Sequence, residues 1–269
     1  MGARRWTRFR RCCGLGVACF ALAACGSDSA APAVDVTAPV EDTAAPVDVT
    51  VPDTSLPVEQ QTLDQPAIWP AADVVFQTPE EAAADFVAAV LISEGDPVLG
   101  EFQQGDARSG EISVLFSGET GDLDPPMEKG TLLLRQIGPT DGWYVIAATS
   151  DGALIDTPSA LDEVPAGTVT VSGEGRGFEG TLVVSAFPPG DASTTFDLQI
   201  GAGGAFADLE PYSVELDLSG AARGEVVVIL VRGDTGLGND PSTFAAIPIV
   251  IASPPSATGS LTHRDRPGH

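Results

Sequence analysis

The spacing of apolar residues changes along this chain, and the change predicts its elements. From Thr78 the apolar positions recur at helical intervals. Ala82, Phe86 and Val90 fall on one line, and Ala83, Val87 and Leu91 on the next. Thr78 stands before Pro79 and three residues before Glu81, the pattern of a capping box with proline in the first turn. These features predict a helix that stops by Gly95-Asp96-Pro97, with Phe86 and Val90 facing a core. Strand-like segments follow at 98–103, 111–116, 131–137 and 143–149, of which 111–116 and 143–149 alternate. Ile112, Val114 and Phe116 share one strand face. Trp143, Val145 and Ala147 share another, which leaves Tyr144 on the opposite, surface side. Gly105-Asp106, residues 118–130 and Thr140-Asp141-Gly142 supply the turns, the last as a tight hairpin.

Beyond Asp156-Thr157-Pro158 helical spacing vanishes. Short strand-like runs recur at 168–172, 180–187, 194–200, 212–218, 225–232 and 244–251, separated by Gly, Pro and Asp. Six short strands in about a hundred residues predict a β-sandwich. The expected organisation has an α+β domain at 67–156, one helix on an antiparallel sheet, followed by an all-β sandwich at 157–252. The first resembles the helix-on-sheet domains of cystatin or nuclear-transport-factor type, a likeness of fold that carries no function.

In the second segment, Val169-Thr170-Val171-Ser172-Gly173-Glu174-Gly175 and Gly177-Phe178-Glu179-Gly180-Thr181-Leu182-Val183-Val184 resemble the first two long strands of the immunoglobulin-like domain of bacterial spore-germination and related envelope proteins. Ile247-Pro248-Ile249-Val250-Ile251 resembles its closing strand. The likeness covers 154–251. It implies an extracytoplasmic binding or assembly module and transfers no catalytic residue.

The N-terminus sets an expected compartment. Arg4, Arg5, Arg8, Arg10 and Arg11 precede an apolar stretch from Cys12 to Ala24. Together they predict a secretory signal, 1–24, whose apolar stretch is shorter than the roughly 20 residues a spanning helix needs. Leu22-Ala23-Ala24-Cys25 resembles the bacterial lipobox, which implies cleavage before Cys25 and diacylglycerol on its thiol. The expected address is the extracytoplasmic face of a bacterial cell membrane, with the membrane as partner through that lipid.

Residues 25–66 are rich in Pro, Ala, Val, Thr and Asp without apolar period, and Val34-Asp35-Val36-Thr37 recurs as Val47-Asp48-Val49-Thr50. This composition predicts a disordered tether, with a reach on the order of 120 Å in the polyproline limit. The tail, 253–269, is expected to be disordered too.

Charge and missing residue types narrow the chemistry. Five of the 13 basic residues and none of the 38 acidic ones precede Cys25, so the chain from Cys25 onward carries eight bases against 38 acids, a formal charge of −30. Such a surface repels nucleic acid. Cys12, Cys13 and Cys19 lie in the signal, and His263 and His269 in the tail. The region between lacks the residues for Ser-His-Asp or Cys-His catalysis and for ordinary zinc sites. Lys129, the single lysine, reads as a solvated loop charge. The chain is therefore expected not to be an enzyme and to need no cofactor.

Two candidate sites remain. Asp234, Asn239 and Asp240 form an oxygen-rich loop that could hold calcium, although it lacks the EF-hand spacing. Glu179 and Tyr144 are candidate ligand-binding residues. Glu179 could equally cap backbone or pair with Arg176 or Arg223. The function expected is a non-catalytic binding or scaffolding module for an envelope protein or wall polymer. A calcium- or glycan-dependent adhesion module and an acid-pair hydrolase are the alternatives.

Overall fold

The computed structural model describes residues 65–205 and 207–253. Cys25, the signal and nearly all of the tether and tail lie outside the described residues.

The helix begins as its sequence dictates. Glu81 N–H donates to Thr78 Oγ1 at 3.2 Å, and Thr78 N–H donates back to Glu81 Oε2 at 3.3 Å. The two bonds satisfy donors that the first helical turn leaves open. Helix α1, Pro79–Phe86, runs into a π-helical turn at Val87–Leu91, 13 residues in all. Trp69 is tied to it: the indole Nε1–H donates to Asp85 Oδ2 at 2.7 Å, and the ring meets Phe86 edge-on.

The strands that follow are β1 (Val98–Leu99), β2 (Gln103–Asp106), β3 (Ser109–Phe116), β4 (Met127–Ile137), β5 (Gly142–Thr149) and β6 (Glu163–Val164). Then come β7 (Thr168–Gly177), β8 (Thr181–Phe187), β9 (Asp197–Ala202), β10 (Gly204–Ala205), β11 (Glu210–Asp217), β12 (Val226–Gly233) and β13 (Thr243–Ile251). Ten of them form one mainly antiparallel sheet with the path β1-β3-β4-β5-β13-β12-β8-β9, while β10-β7-β11 form a small second sheet. The described residues are thus mostly β: one 13-residue helix, a large sheet and a small one.

The large sheet runs straight across the boundary expected at 156/157. Strand β13, last among the described residues, pairs with β5 through Ala246 and Ala148. Both are buried in the core beneath the helix.

Strand β12 explains the layering. Its run Val226-Val227-Val228-Ile229-Leu230-Val231 is apolar without alternation, as expected of a strand covered on both faces. Val228 and Leu230 join Phe86, Val87, Leu91, Phe187 and Phe244 in a core beneath the helix. Val227, Ile229 and Val231 join Val171, Leu182, Val184, Tyr212 and Leu216 in a core shared with the small sheet. Each such side chain taken out of water contributes about 1.5–3 kcal/mol.

One expected face is reversed. Between Leu133 and Leu134 the β4–β5 register slips, with Leu133 opposite Ala147 and Leu134 opposite Val145. Ile146 is the extra residue of a β-bulge, so alternation breaks there: Trp143 and Val145 stay in the core, but Ala148 rather than Ala147 follows them inward.

Candidate functional site

A groove of about 410 Å³ opens where the ends of several strands converge. One wall is the start of β4, from Met127 to Thr131. The other is the end of β5 and the turn after it, Thr149 to Gly152. Arg176 of β7 and Thr243 at the start of β13 close it, and both also line a smaller cavity of about 150 Å³ beside Phe178 and Asp234.

Hydrogen bonds between remote segments hold the groove in shape. Phe244 N–H donates to Ser150 Oγ at 2.9 Å, Arg176 N–H to the Gly152 carbonyl at 2.9 Å, and Thr243 Oγ1–H to the Arg176 carbonyl at 2.8 Å. Three chain segments therefore cross within a few ångströms. Only glycine fits at 152, because a Cβ there would collide with the Thr243 side chain. The Arg176 guanidinium donates to the Ala207 carbonyl at 3.0 Å and forms no ion pair among the described residues. The groove thus presents hydroxyls, backbone edges, the Arg176 guanidinium and the carboxylates of Glu128 and Asp151.

Lys129 lies at this groove, and the reading of it as a solvated loop charge is corrected. It belongs to β4, its side chain is 14% exposed, and its ammonium sits 2.9 Å from Asp240 Oδ1 and 3.2 Å from Oδ2. The ammonium also stands 5.5 Å from the centre of the Phe116 ring, a cation–π arrangement. A second bulge puts it there: Val114 faces Gly130 and Leu115 faces Glu128, which leaves Lys129 without a cross-strand partner.

Tyr144, expected on the surface, is also corrected. It is 1% exposed and packs with Ala67 and Ile137. Its hydroxyl donates toward the Val74 carbonyl at 3.1 Å, and burial pushes its pKa up, with Asp73 adding to the effect. The outer face of β5 at this point is covered by the 67–76 segment, which carries no strand pattern of its own.

The oxygen-rich loop does not assemble as a ligand set. Asp240 is spent on Lys129 and accepts from Ser242 N–H at 2.7 Å. The Asn239 Nδ2 donates to the Gly118 carbonyl at 3.1 Å. Asp234 accepts from Gly236 N–H at 2.8 Å within its own turn. Among the described residues no three His, Cys, Asp or Glu side chains cluster as a metal site would require.

Glu179 is exposed in the short 3₁₀ turn Phe178–Gly180, with φ of 54°, and pairs with neither Arg176 nor Arg223 among the described residues. It stands beside Phe178, which is 54% exposed. The groove itself escaped sequence reasoning because its walls are brought together by pairings between distant segments. The one local signal was the glycine at 152, between the β5 pattern and the expected second segment.

No known protein family, curated protein or solved structure matches this chain.

Proposed function

We propose that the protein is a lipid-anchored envelope lipoprotein, held through Cys25 on the extracytoplasmic face of a bacterial membrane, and that its β-rich body is a non-catalytic binding or scaffolding module. The ligand is an envelope protein or a wall polymer, taken up at the groove between β4, β5 and β13.

The observation that carries this reading is the chemistry of the groove. It offers Thr and Ser hydroxyls, backbone edges, the Arg176 guanidinium and the Glu128 and Asp151 carboxylates, a set suited to hydrogen bonding a polar polymer or peptide. Its one amine is engaged by Asp240, and residues 65–253 contain neither His nor Cys. Recognition needs only the donors and acceptors present.

Two further features support the reading. The lipobox-like Leu22-Ala23-Ala24-Cys25, following an apolar stretch, supports attachment by lipid. The small sheet and strands β8 and β12 share one core, which suits the immunoglobulin-like arrangement that the 154–251 resemblance implies.

The test is cross-linking in native envelopes. Wild-type protein should fractionate with membrane and be recovered joined to wall polymer or an envelope protein. Cys25→Ala should be released in soluble form. Membrane retention of Cys25→Ala would remove the anchor claim, and recovery of the wild type unjoined would remove the binding claim.

A further inference from the structure

Lys129 is the single lysine of the chain, and every other basic residue among the 13 is arginine, whose guanidinium is a poor nucleophile. That one side-chain amine lies against one carboxylate, 111 residues away in sequence. We propose that Lys129 and Asp240 are a modification site, joined by an intramolecular amide cross-link that forms in the folded protein without an enzyme.

The geometry supplies what condensation needs. Nζ lies within 3.2 Å of both carboxylate oxygens, which puts it in contact with the carboxyl group of Asp240. Neither partner is free to move away. The bulge in β4 directs Lys129 inward, and Asp240 is held by Ser242 N–H on Oδ1 at 2.7 Å, in a turn where Ser242 is fully buried with φ of 67°. Fixing two reactants at contact distance replaces an unfavourable encounter with an intramolecular step. The surroundings are largely dry, with side-chain exposures of 14% and 6% and the Phe116 ring beside the amine. Condensation starts from the neutral pair, reached when the ammonium passes one proton to the carboxylate it touches.

The step balances without a co-reactant. Free amine Nζ attacks Cγ of the protonated carboxyl group, and a C–N bond forms. Oδ1 carries the developing negative charge, on which the Ser242 N–H already bears. The C–Oδ2 bond breaks, and Oδ2 departs as water with its own proton and one surrendered by Nζ. Oδ1 remains as the amide carbonyl. Nothing is oxidised or reduced, and one water leaves.

The product would tie β4 to the connection between β12 and β13, closing a covalent loop across the large sheet. It would do for this chain what a disulfide does elsewhere, in a region that contains no cysteine.

Peptide mapping of the purified full-length chain tests the proposal. Trypsin does not cut after an acylated lysine, so the linked protein yields a branched product of residues 109–135 and 233–264, lighter than the two peptides together by one water. Lys129→Arg keeps a cation beside Asp240 but cannot condense, and should give 233–264 as a separate, unmodified peptide. Recovery of 109–129 and unmodified 233–264 as the dominant species from wild-type protein would overturn the cross-link.

Discussion

Arg232 of β12 caps the helix end at Val90. Its guanidinium donates to the Val90 carbonyl at 2.9 Å and to the Leu91 carbonyl at 2.8 Å, 142 and 141 residues back in the chain. The last carbonyls of a helix have no partner within it and carry its negative end, so a cation there both satisfies and stabilises them. Burial lowers the Arg232 pKa, and Asp234 opposes that shift. Removing the side chain would strand two carbonyls in a largely buried place. Arg232→Ala is expected to lose about 3 kcal/mol of stability in a denaturant titration, since hydrogen bonds to a charged group are each worth about 1.5–3 kcal/mol. A loss below about 0.5 kcal/mol would show that water satisfies the helix end instead.

The crossing of chains at Gly152 makes a second prediction. Gly152→Ala places a methyl group against Cγ2 of Thr243 and should cost about 1–3 kcal/mol by overpacking. Thr243→Ser removes that methyl but keeps the hydroxyl that donates to the Arg176 carbonyl. The double variant should therefore be more stable than the two single losses predict. Simple additivity in a double-mutant cycle would count against direct contact at this wall.

Alkaline titration has an unusually clean readout, because the chain contains two tyrosines and both are buried. Burial raises the pKa of each, with Asp73 adding at Tyr144 and Asp156 at Tyr212. Tyr212 also donates to the Leu154 carbonyl at 2.8 Å. A raised phenol pKa means that the folded state holds its proton longer. The stabilisation is whole below the unfolded value of about 10 and is lost as pH rises toward the folded values. Phenolate absorbance should stay low through pH 10 and then appear together with loss of native circular dichroism. Ionisation near pH 10 in a folded protein would contradict the burial described.

At the acid end, Asp197 bridges the two sheets. Its carboxylate accepts from Asp217 N–H at 2.8 Å and from the Gln199 amide, and these bonds lower its pKa in that order of effect. A lowered carboxyl pKa gives stability that is present above the unfolded value of about 3.9 and is lost as pH falls through the lower folded value. Asp197→Asn should flatten the acid limb of a stability–pH curve while leaving its alkaline limb unchanged.

Local rules made part of this fold legible. Thr78 and Glu81 announce the helix start within four residues, and the alternation of Ile112, Val114 and Phe116 survives into β3. All six strand runs predicted after 156 correspond to strands, because each carries its own apolar run and turn. What could not be read is what depends on distant partners. The Ala148–Ala246 pairing that fuses both halves into one sheet has no local signature. The bulges at Lys129 and Ile146 each add one residue, and that is enough to send Lys129 inward and exchange Ala147 for Ala148. Tyr144 obeyed alternation, pointing away from the helix-side core, yet another segment covers that face. The groove follows from these same pairings, which is why its walls at 127–131, 149–152, 176 and 243 were not seen together.

The central claim is that this groove is the recognising surface, and position-specific photo-cross-linking tests it most directly. A photoreactive residue placed at Thr149, exposed on the groove wall, is compared in intact envelopes with one at Gln104, exposed on β2 away from it. Cross-linked product from position 149 and none from 104 is the predicted result. Equal product from both positions, or product from 104 alone, would contradict recognition at the groove.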